Sequence, residues 1–208
     1  MKQNDAKKTV IGITGGIGSG KSAVLAYIEK QCVCRVISAD QVGRELMKPG
    51  KAVYRALVRR FGDRILRPDG TVDTAVLTAE AFRDPDGMDV LNAIEHPIIR
   101  KEVLKRIRRT VKPLVFVEAA LLEEGGLVPV CDEVWVVTAG EETRVGRLMA
   151  SRGYTEEKAR AFINRQLTEA QFLALADRVI RNDGAFRETE KEADACLRAI
   201  GAVMKHAV

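Results

Sequence analysis

The stretch that decides the fold is Thr9–Ser22, TVIGITGGIGSGKS. Its first part, Thr9–Thr14, is an apolar and β-branched run that ends in glycines, which is typical of a strand buried on both faces of a sheet. A helical pattern follows over Lys21–Lys30. The intervening Gly15–Ser22 fits the phosphate-loop pattern G-x-x-x-x-G-K-S, which needs a strand before it and a helix after it. The sequence therefore predicts a strand, a phosphate-binding loop and a helix in direct succession.

The parts of this loop have distinct roles in holding nucleotide phosphates. Glycines allow backbone N–H groups to point at a phosphate, and the helix N-terminus adds the positive end of its dipole. We expect Lys21 to reach the β- and γ-phosphates of ATP, and the Ser22 hydroxyl to be a ligand of Mg²⁺. The predicted nucleotide-binding set is Gly15, Gly16, Ile17, Gly18, Ser19, Gly20, Lys21, Ser22 and Ala23. The motif alone identifies neither the nucleotide nor the group that receives the phosphate.

The rest of the chain alternates strand and helix patterns. The four further predicted strands are Cys32–Ser38, Leu114–Glu118, Glu133–Thr138 and Arg178–Arg181. At the C-terminus, apolar residues recur at helical spacing, and these are Ala193, Cys196, Ile200 and Val203. Strands that alternate with helices favour a parallel α/β sheet flanked by helices, here with five strands.

Two connections are too long to be simple crossovers, and we expect a single domain with two insertions. The predicted core covers about residues 8–43, 113–138 and 177–208. Residues 44–112 show helical periodicity and two turn signals, and we interpret them as a helical substrate-binding insert. Residues 139–176 are rich in arginine, and we interpret them as a helical lid.

Composition limits the class of protein without identifying it. The chain has 208 residues, of which 46% are hydrophobic and 30% charged, and this suits one globular domain. No apolar run approaches the roughly 18 residues that span a membrane. The polar start and the short apolar stretch after it do not resemble a signal peptide, so we expect a cytoplasmic protein. A net charge of +5 favours an anionic partner but does not separate nucleic acid from a phosphorylated small molecule.

Several charged residues are candidates for the transfer chemistry. Asp40 follows the second predicted strand, where a carboxylate could accept a proton from an attacking hydroxyl, although Asp is equally favoured there as a helix N-cap. Arg144, Arg147 and Arg152 could stabilise a transferring phosphoryl group, or form Glu–Arg pairs on a solvated helix face. His96 precedes a proline, which predicts a helix break at this residue. Its side chain could then contact an anionic ligand, or it could lie at the surface.

These pieces resemble the dephospho-CoA kinase family along nearly the whole chain. The matching segments are Ile13–Ser22, Val36–Asp40 (VISAD), Ile94–Pro97 (IEHP), Leu121–Leu127 (LLEEGGL) and Ala176–Asn182 (ADRVIRN). The first segment has a double glycine followed by Ile-Gly-Ser. This combination is a much more specific motif than the general phosphate-loop pattern. The resemblance implies a P-loop kinase that uses ATP and Mg²⁺ to phosphorylate the ribose 3′-hydroxyl of dephospho-CoA.

The resemblance also implies roles for individual residues. It makes Asp40 the general base, Lys21 and Arg147 phosphate contacts during transfer, and Asn182 a neighbour of the adenine of ATP. It places Asp40, His96, Leu121 and Glu124 at the acceptor site. We expect a monomer that binds a small molecule, with no nucleic-acid or membrane partner.

The chain departs from the family pattern at six positions, which are Ala23, Ser38, Glu118, Ala120, Glu123 and Phe162. Ala23 removes one potential phosphate contact, and Ser38 replaces the first acid of a usual Asp-Ala-Asp. Three alternatives stay open from the residues alone: another kinase on the same scaffold, a regulatory GTPase, and a nucleic-acid-binding protein that uses the basic stretch 98–112. The second lacks a guanine-recognition motif, and the third lacks aromatic residues among its basic ones.

Overall fold

A computed structural model describes residues 8–205. The polar N-terminal segment up to residue 7 and positions 206–208 of the predicted core lie outside the described residues. The strands are β1 (Thr9–Thr14), β2 (Cys34–Ser38), β3 (Leu114–Glu118), β4 (Glu133–Thr138) and β5 (Arg178–Arg181). The α-helices are α1 (Lys21–Gln31), α2 (Ala39–Leu46), α3 (Ala52–Phe61), α4 (Thr74–Ala81), α5 (Gly87–Arg109), α6 (Glu141–Arg152), α7 (Glu156–Asn164), α8 (Glu169–Ala174) and α9 (Phe186–Ala199).

The strands of the described chain form one parallel sheet in the order β2-β3-β1-β4-β5. β1 lies in the middle, so the carboxyl ends of its neighbours β3 and β4 flank the loop that follows it. Its residues from Val10 to Thr14 are buried, as expected of a strand that helices cover on both faces. The predicted five-stranded parallel sheet is confirmed, and it places the phosphate loop at the centre of one sheet edge.

Two predicted element ends differ from the structure. β2 begins at Cys34, while Cys32 forms an antiparallel bridge with Met204 and is fully buried. α9 ends at Ala199, so Val203 lies beyond it and is exposed. The helix stops because Gly201 has a φ of +64°, a left-handed conformation that ends helices. The four cysteines are free thiols.

The insert between β2 and β3 is helical, as predicted, and has its own apolar core. Helices α3, α4 and α5 pack together, and the largest buried side chains there include Leu57, Phe61 and Ile65. One prediction was wrong: Pro97 lies inside α5, so His96 does not mark a helix break. Apolar residues before and after the proline, among them Ile94 and Ile98, pack on this core and hold the helix through it.

The segment between β4 and β5 consists of α6, α7 and α8. Val145 and Leu148 of α6 meet Ala159 and Ile163 of α7 in a small separate core, and Ile17 of the phosphate loop packs against it. No helix within residues 8–205 is long and apolar enough to span a membrane.

Candidate active site

The phosphate loop lies between β1 and α1, with its glycines in the conformations that the motif requires. Gly15, Gly18 and Gly20 all have positive φ. The first helical hydrogen bond of α1 comes from the Ala23 N–H to the Gly20 carbonyl at 3.0 Å, so the earlier N–H groups of Lys21 and Ser22 precede the helical ladder. No side chain caps this helix, and its first turn contains no acid. The N-terminus of α1 is therefore suited to an external anion.

The loop glycines are also sites of close packing against the protein. A Cβ on Gly15 would overlap the carbonyl oxygen of Val137 in β4, and one on Gly20 would overlap the side-chain amide of Asn182. At Gly16 the obstacle would be the guanidinium of Arg144. The loop thus needs glycine for its contacts with β4, α6 and the end of β5, as well as for its curvature.

Ile17, at the tip of the loop, is held through both of its backbone polar groups. Its N–H donates to Oε1 of Gln166 at 2.6 Å, and its carbonyl accepts from Nε of Arg144 at 2.8 Å. Arg144 also donates to the same Gln166 oxygen, at 3.3 Å. Burial lowers the pKa of Arg144 from its usual value. Arg144 is therefore a buried brace for the loop, and the alternative of a solvated Glu–Arg pair is wrong for this residue.

Arg147 and Asn182 brace the second half of the loop. The Arg147 guanidinium donates to the carbonyls of Gly18 and Ser19 at 3.3 and 3.2 Å, and to that of Asn182 at 2.7 Å. The Asn182 side chain is buried, donates to the Ser19 carbonyl at 2.8 Å, and accepts from the Thr189 hydroxyl at 3.0 Å. Both residues contact the loop through hydrogen bonds that the sequence did not indicate, and the contact of Arg147 with the transferring phosphate stays a prediction. Contact of Asn182 with adenine stays a prediction.

Lys21 lies close to carboxylates and to guanidinium groups, which have opposite effects on its pKa. Its ammonium donates to the Gly15 carbonyl at 2.6 Å. Burial lowers the pKa of Lys21, while the carboxylates of Glu118 and Asp40 oppose this shift. The carboxylates at the ends of β2 and β3 are thus close enough to Lys21 to act on its charge.

Asp40 lies in the first turn of α2, and its alternative role as an N-cap is excluded. The cap of α2 is Ser38, whose hydroxyl oxygen accepts from the Gln41 N–H. The Ser38 hydroxyl also donates to Oε2 of Glu118 at 2.7 Å, across the paired strands β2 and β3. With the cap supplied by Ser38, the Asp40 carboxylate has no capping duty and remains able to accept a proton.

Asp40 opens onto a cavity of about 250 Å³ between α2, α5 and the loop after β3. Arg44 lines the same wall as Asp40, one helical turn further along α2. Glu95, His96 and Ile99 of α5 form the opposite wall, and Ala119, Ala120 and Leu121 form the end next to β3. The cavity brings together three predicted acceptor-site residues, Asp40, His96 and Leu121. Glu124, the fourth, is exposed and does not line it.

Comparison with known proteins agrees with this geometry. A family model described as dephospho-CoA kinase matches residues 9–188 of the chain. This chain belongs to the dephospho-CoA kinase family. Among curated relatives, the dephospho-CoA kinase of Moorella thermoacetica is 40% identical over 195 residues, covering 92% of either chain.

Solved structures share the fold of this chain. TT1252 from Thermus thermophilus has 30% identity and a TM-score of 0.79, covering 93% of this chain and 98% of its own. The dephospho-CoA kinase of Campylobacter jejuni, at 22% identity, has the same fold with a TM-score of 0.67, over 93% and 97% of the two chains. The protein is thus a P-loop kinase and uses a nucleotide.

The positions where this member of the dephospho-CoA kinase family departs from the family pattern have specific surroundings. Ser38 and Glu118 are hydrogen-bonded to each other, so two of the departures form one pair. The Ala120 carbonyl accepts from the Thr14 hydroxyl at 3.2 Å. Phe162 is partly exposed and stacks on Tyr154, with ring centroids 5.3 Å apart. Ala23 and Glu123 are exposed.

The sequence did not indicate two polar residues of the cavity, Arg44 and Glu95. Arg44 belongs to no matching segment, and Glu95 lies in the segment IEHP without a role of its own there; the packing of α2 against α5 brings them together. Spacing gave one usable signal, because Arg44 follows Asp40 by four residues and so shares its helix face. Arg152, one of the predicted lid arginines, is exposed and close enough to Lys21 to lower its pKa, while Arg160 pairs with Glu141, Glu142 and Glu156.

Proposed function

We propose that this protein transfers the γ-phosphoryl group of ATP to the ribose 3′-hydroxyl of dephospho-CoA, giving CoA and ADP. One observation carries the proposal. Asp40 lines a cavity of about 250 Å³, and its carboxylate is also close enough to Lys21 of the phosphate loop to influence the charge of that residue. A hydroxyl bound in the cavity would therefore lie between a base and a triphosphate.

The roles follow from position. The Asp40 carboxylate accepts the proton of the 3′-hydroxyl as its oxygen bonds to the γ-phosphorus. The bond from the γ-phosphorus to the β,γ-bridging oxygen breaks, and ADP leaves with that oxygen. Lys21 and the N–H groups at the start of α1 offset the negative charge on the phosphates. Positioning and charge stabilisation are the main contributions that a protein makes to phosphoryl transfer.

The donor set also fits Mg²⁺. Within residues 8–205 no group of three His, Cys, Asp or Glu side chains could hold a metal ion. Mg²⁺ commonly keeps several waters and is held through substrate phosphates and one or two protein oxygens. The hydroxyl of Ser22, an exposed residue, would be one ligand, and Glu118 and Asp40, which act on the charge of the adjacent Lys21, would bind metal-bound water. When bound, the ion would neutralise charge on the β- and γ-phosphates.

Arg147 is proposed to contact the transferring group after a change in its hydrogen bonds. Its guanidinium is occupied by two loop carbonyls and by the carbonyl of Asn182, at 2.7–3.3 Å. These contacts place a fixed positive charge beside the loop that holds the triphosphate. A shift of one or two of its N–H groups toward a γ-phosphate oxygen would give the transition-state contact that the family resemblance implies.

The proposal is tested first with the Asp40→Asn variant. Asparagine keeps the size of the side chain but cannot accept the proton, so kcat should fall by about 10²–10⁴-fold. The KM for ATP should change much less than kcat, because Asp40 lines the acceptor cavity and would reach the nucleotide only through metal-bound water. ADP release should be measured with dephospho-CoA, adenosine, nucleoside monophosphates and pantothenate-like acceptors. Turnover on another acceptor with none on dephospho-CoA would overturn the proposal, and a near-wild-type rate for Asp40→Asn would remove Asp40 as the base.

A further inference from the structure

Glu95 is a cavity residue with a carboxylate oxygen that no surrounding residue of the described chain hydrogen-bonds. It lies on α5 as a half-buried residue, and its Oε1 is buried with no hydrogen-bond partner among residues 8–205. Buried polar atoms are nearly always paired, and a carboxylate oxygen is costly to leave without a donor. Burial raises the pKa of Glu95, since no nearby cation compensates it. Glu95 thus lines the cavity, and its unpaired Oε1, which has almost no accessible surface in the free protein, would turn toward the cavity to meet a bound donor.

The size of the cavity shows which part of an acceptor would meet Glu95. At about 250 Å³ it is smaller than the ~300–1,000 Å³ that commonly encloses a drug-sized ligand. It can therefore hold only part of dephospho-CoA. The reacting ribose must approach Asp40, so the enclosed part is the nucleoside end, and the pantetheine arm extends outward.

The other polar groups of the cavity leave one function for Glu95. Arg44 is a cation on the Asp40 side and suits the diphosphate of the acceptor, while Asp40 is reserved for the reacting hydroxyl. Glu95 comes from α5, across the cavity from Asp40, and is bordered by His96 and Ile99. The nucleoside end has two further neutral donors: the exocyclic amine of adenine and the ribose 2′-hydroxyl.

We propose that the Glu95 carboxyl group binds a neutral hydrogen-bond donor on the nucleoside end of the acceptor, and so contributes to the choice of acceptor. The inference rests on the proposed function for the identity of that acceptor. A site built to bind a donor discriminates strongly against an analogue that lacks it, because its buried polar group is then left unpaired. Glu95 would act on acceptor affinity and leave the binding of ATP unchanged.

The test combines variants of Glu95 with variants of the acceptor. Glu95→Met keeps an unbranched side chain of similar length without an acceptor oxygen, and Glu95→Gln keeps a neutral acceptor oxygen. Affinity for dephospho-CoA should be measured by calorimetry without ATP, and KM by ADP release. Glu95→Met should weaken both by about tenfold, the usual effect of losing one hydrogen bond to a charged group, and Glu95→Gln should weaken them less. The KM for ATP should change by less than about twofold, as expected for a residue outside the nucleotide site.

Two analogues identify the donor: the 2′-deoxy acceptor, and an acceptor whose adenine amine is dimethylated. For one of them, wild type and Glu95→Met should bind equally well, because the partner of Glu95 is already missing. Asp89→Asn, an exposed acid on the same helix, is the matched control and should resemble wild type.

Each outcome decides the inference. Unchanged acceptor affinity in Glu95→Met would overturn it, and so would an equal loss for dephospho-CoA and both analogues. If Glu95→Met fails to fold, as judged by circular dichroism, Glu95→Gln with the same analogues decides in its place. Calorimetry separates the two proposals: a wild-type protein that binds dephospho-CoA without phosphorylating it would contradict the proposed function alone. A wild-type protein that does not bind dephospho-CoA would overturn both.

Discussion

At the scale of single residues, the phosphate loop depends on contacts from outside the motif. Gly15 approaches the Val137 carbonyl of β4 so closely that no side chain fits, and its φ of +143° is itself rare for other residues. Its role is therefore steric as well as conformational. A substitution there acts on the fold of the loop before any phosphate binds.

Gly15→Ala should destabilise the protein by at least about 2 kcal/mol, since strained backbone and a clash with a backbone oxygen add together. The measurement is the free energy of unfolding in urea. Gly146→Ala is the matched control, because Gly146 lies inside α6 with no heavy atom within 4 Å of an added Cβ. That change should instead stabilise the protein by about 0.5–1 kcal/mol, the usual benefit of alanine over glycine in a helix. Equal effects of the two changes would contradict the steric role of Gly15.

The sequence predicted those site residues whose chemistry is local. Gly15–Ser22 was readable because a strand, a loop and a helix follow one another along the chain. Asp40 could be picked out as the residue that follows a strand. Only the hydrogen bond of Ser38, which caps α2, excluded Asp40 as the N-cap. A role for Glu95 could not be predicted from the segment IEHP, since a glutamate on a helix is usually solvated, and only the packing of α5 against α2 partly buries it.

At the scale of secondary-structure elements, α5 is the place where local propensity was misleading. Proline disfavours helix before it and leaves the carbonyl four residues earlier, here that of Ala93, without an N–H donor. The helix nevertheless runs unbroken from Gly87 to Arg109, 23 residues in all, because Ile94, Ile98 and Ile99 are packed against the core of the insert. Tertiary packing outweighs the local preference, and a single sequence gives no measure of that packing.

Pro97→Ala tests this balance. Alanine restores the missing N–H donor and has a higher helix propensity, so the free energy of unfolding should rise by about 1–3 kcal/mol. Because Glu95 and His96 precede Pro97 in the cavity wall, the KM for the acceptor should change while the KM for ATP stays constant. Urea unfolding and steady-state kinetics check the two parts. A loss of stability would mean that proline contributes packing that exceeds its cost to the helix.

At the scale of the whole molecule, the helices between β4 and β5 are joined to the phosphate loop. Ile17 packs against the core between α6 and α7, and both of its backbone groups are bound, by Gln166 and Arg144. We therefore expect any displacement of residues 139–176 to involve the loop, and nucleotide binding at the loop to restrain these helices. The predicted lid, residues 139–176, should therefore move together with the loop that binds the triphosphate.

Hydrogen exchange with a non-hydrolysable ATP analogue tests the coupling. Bound nucleotide should slow amide exchange in α6 and α7, because it rigidifies the loop to which they are attached. Gln166→Ala leaves the Ile17 N–H without its acceptor, so it should weaken nucleotide affinity by about three- to tenfold and reduce the protection that the analogue gives to α6 and α7.

The matched control is Gln171→Ala, which removes a glutamine from the capping box of α8 in the same segment. It should cost about 1 kcal/mol of stability, the usual value of a cap, and leave nucleotide affinity near that of wild type. Of the two glutamines, only Gln166 contacts the phosphate loop. If the coupling is specific, the two variants should differ in nucleotide affinity and in the protection of α6 and α7. If residues 139–176 exchange at the same rate with and without the analogue in wild type, these helices are a static wall, and the lid is removed from the mechanism.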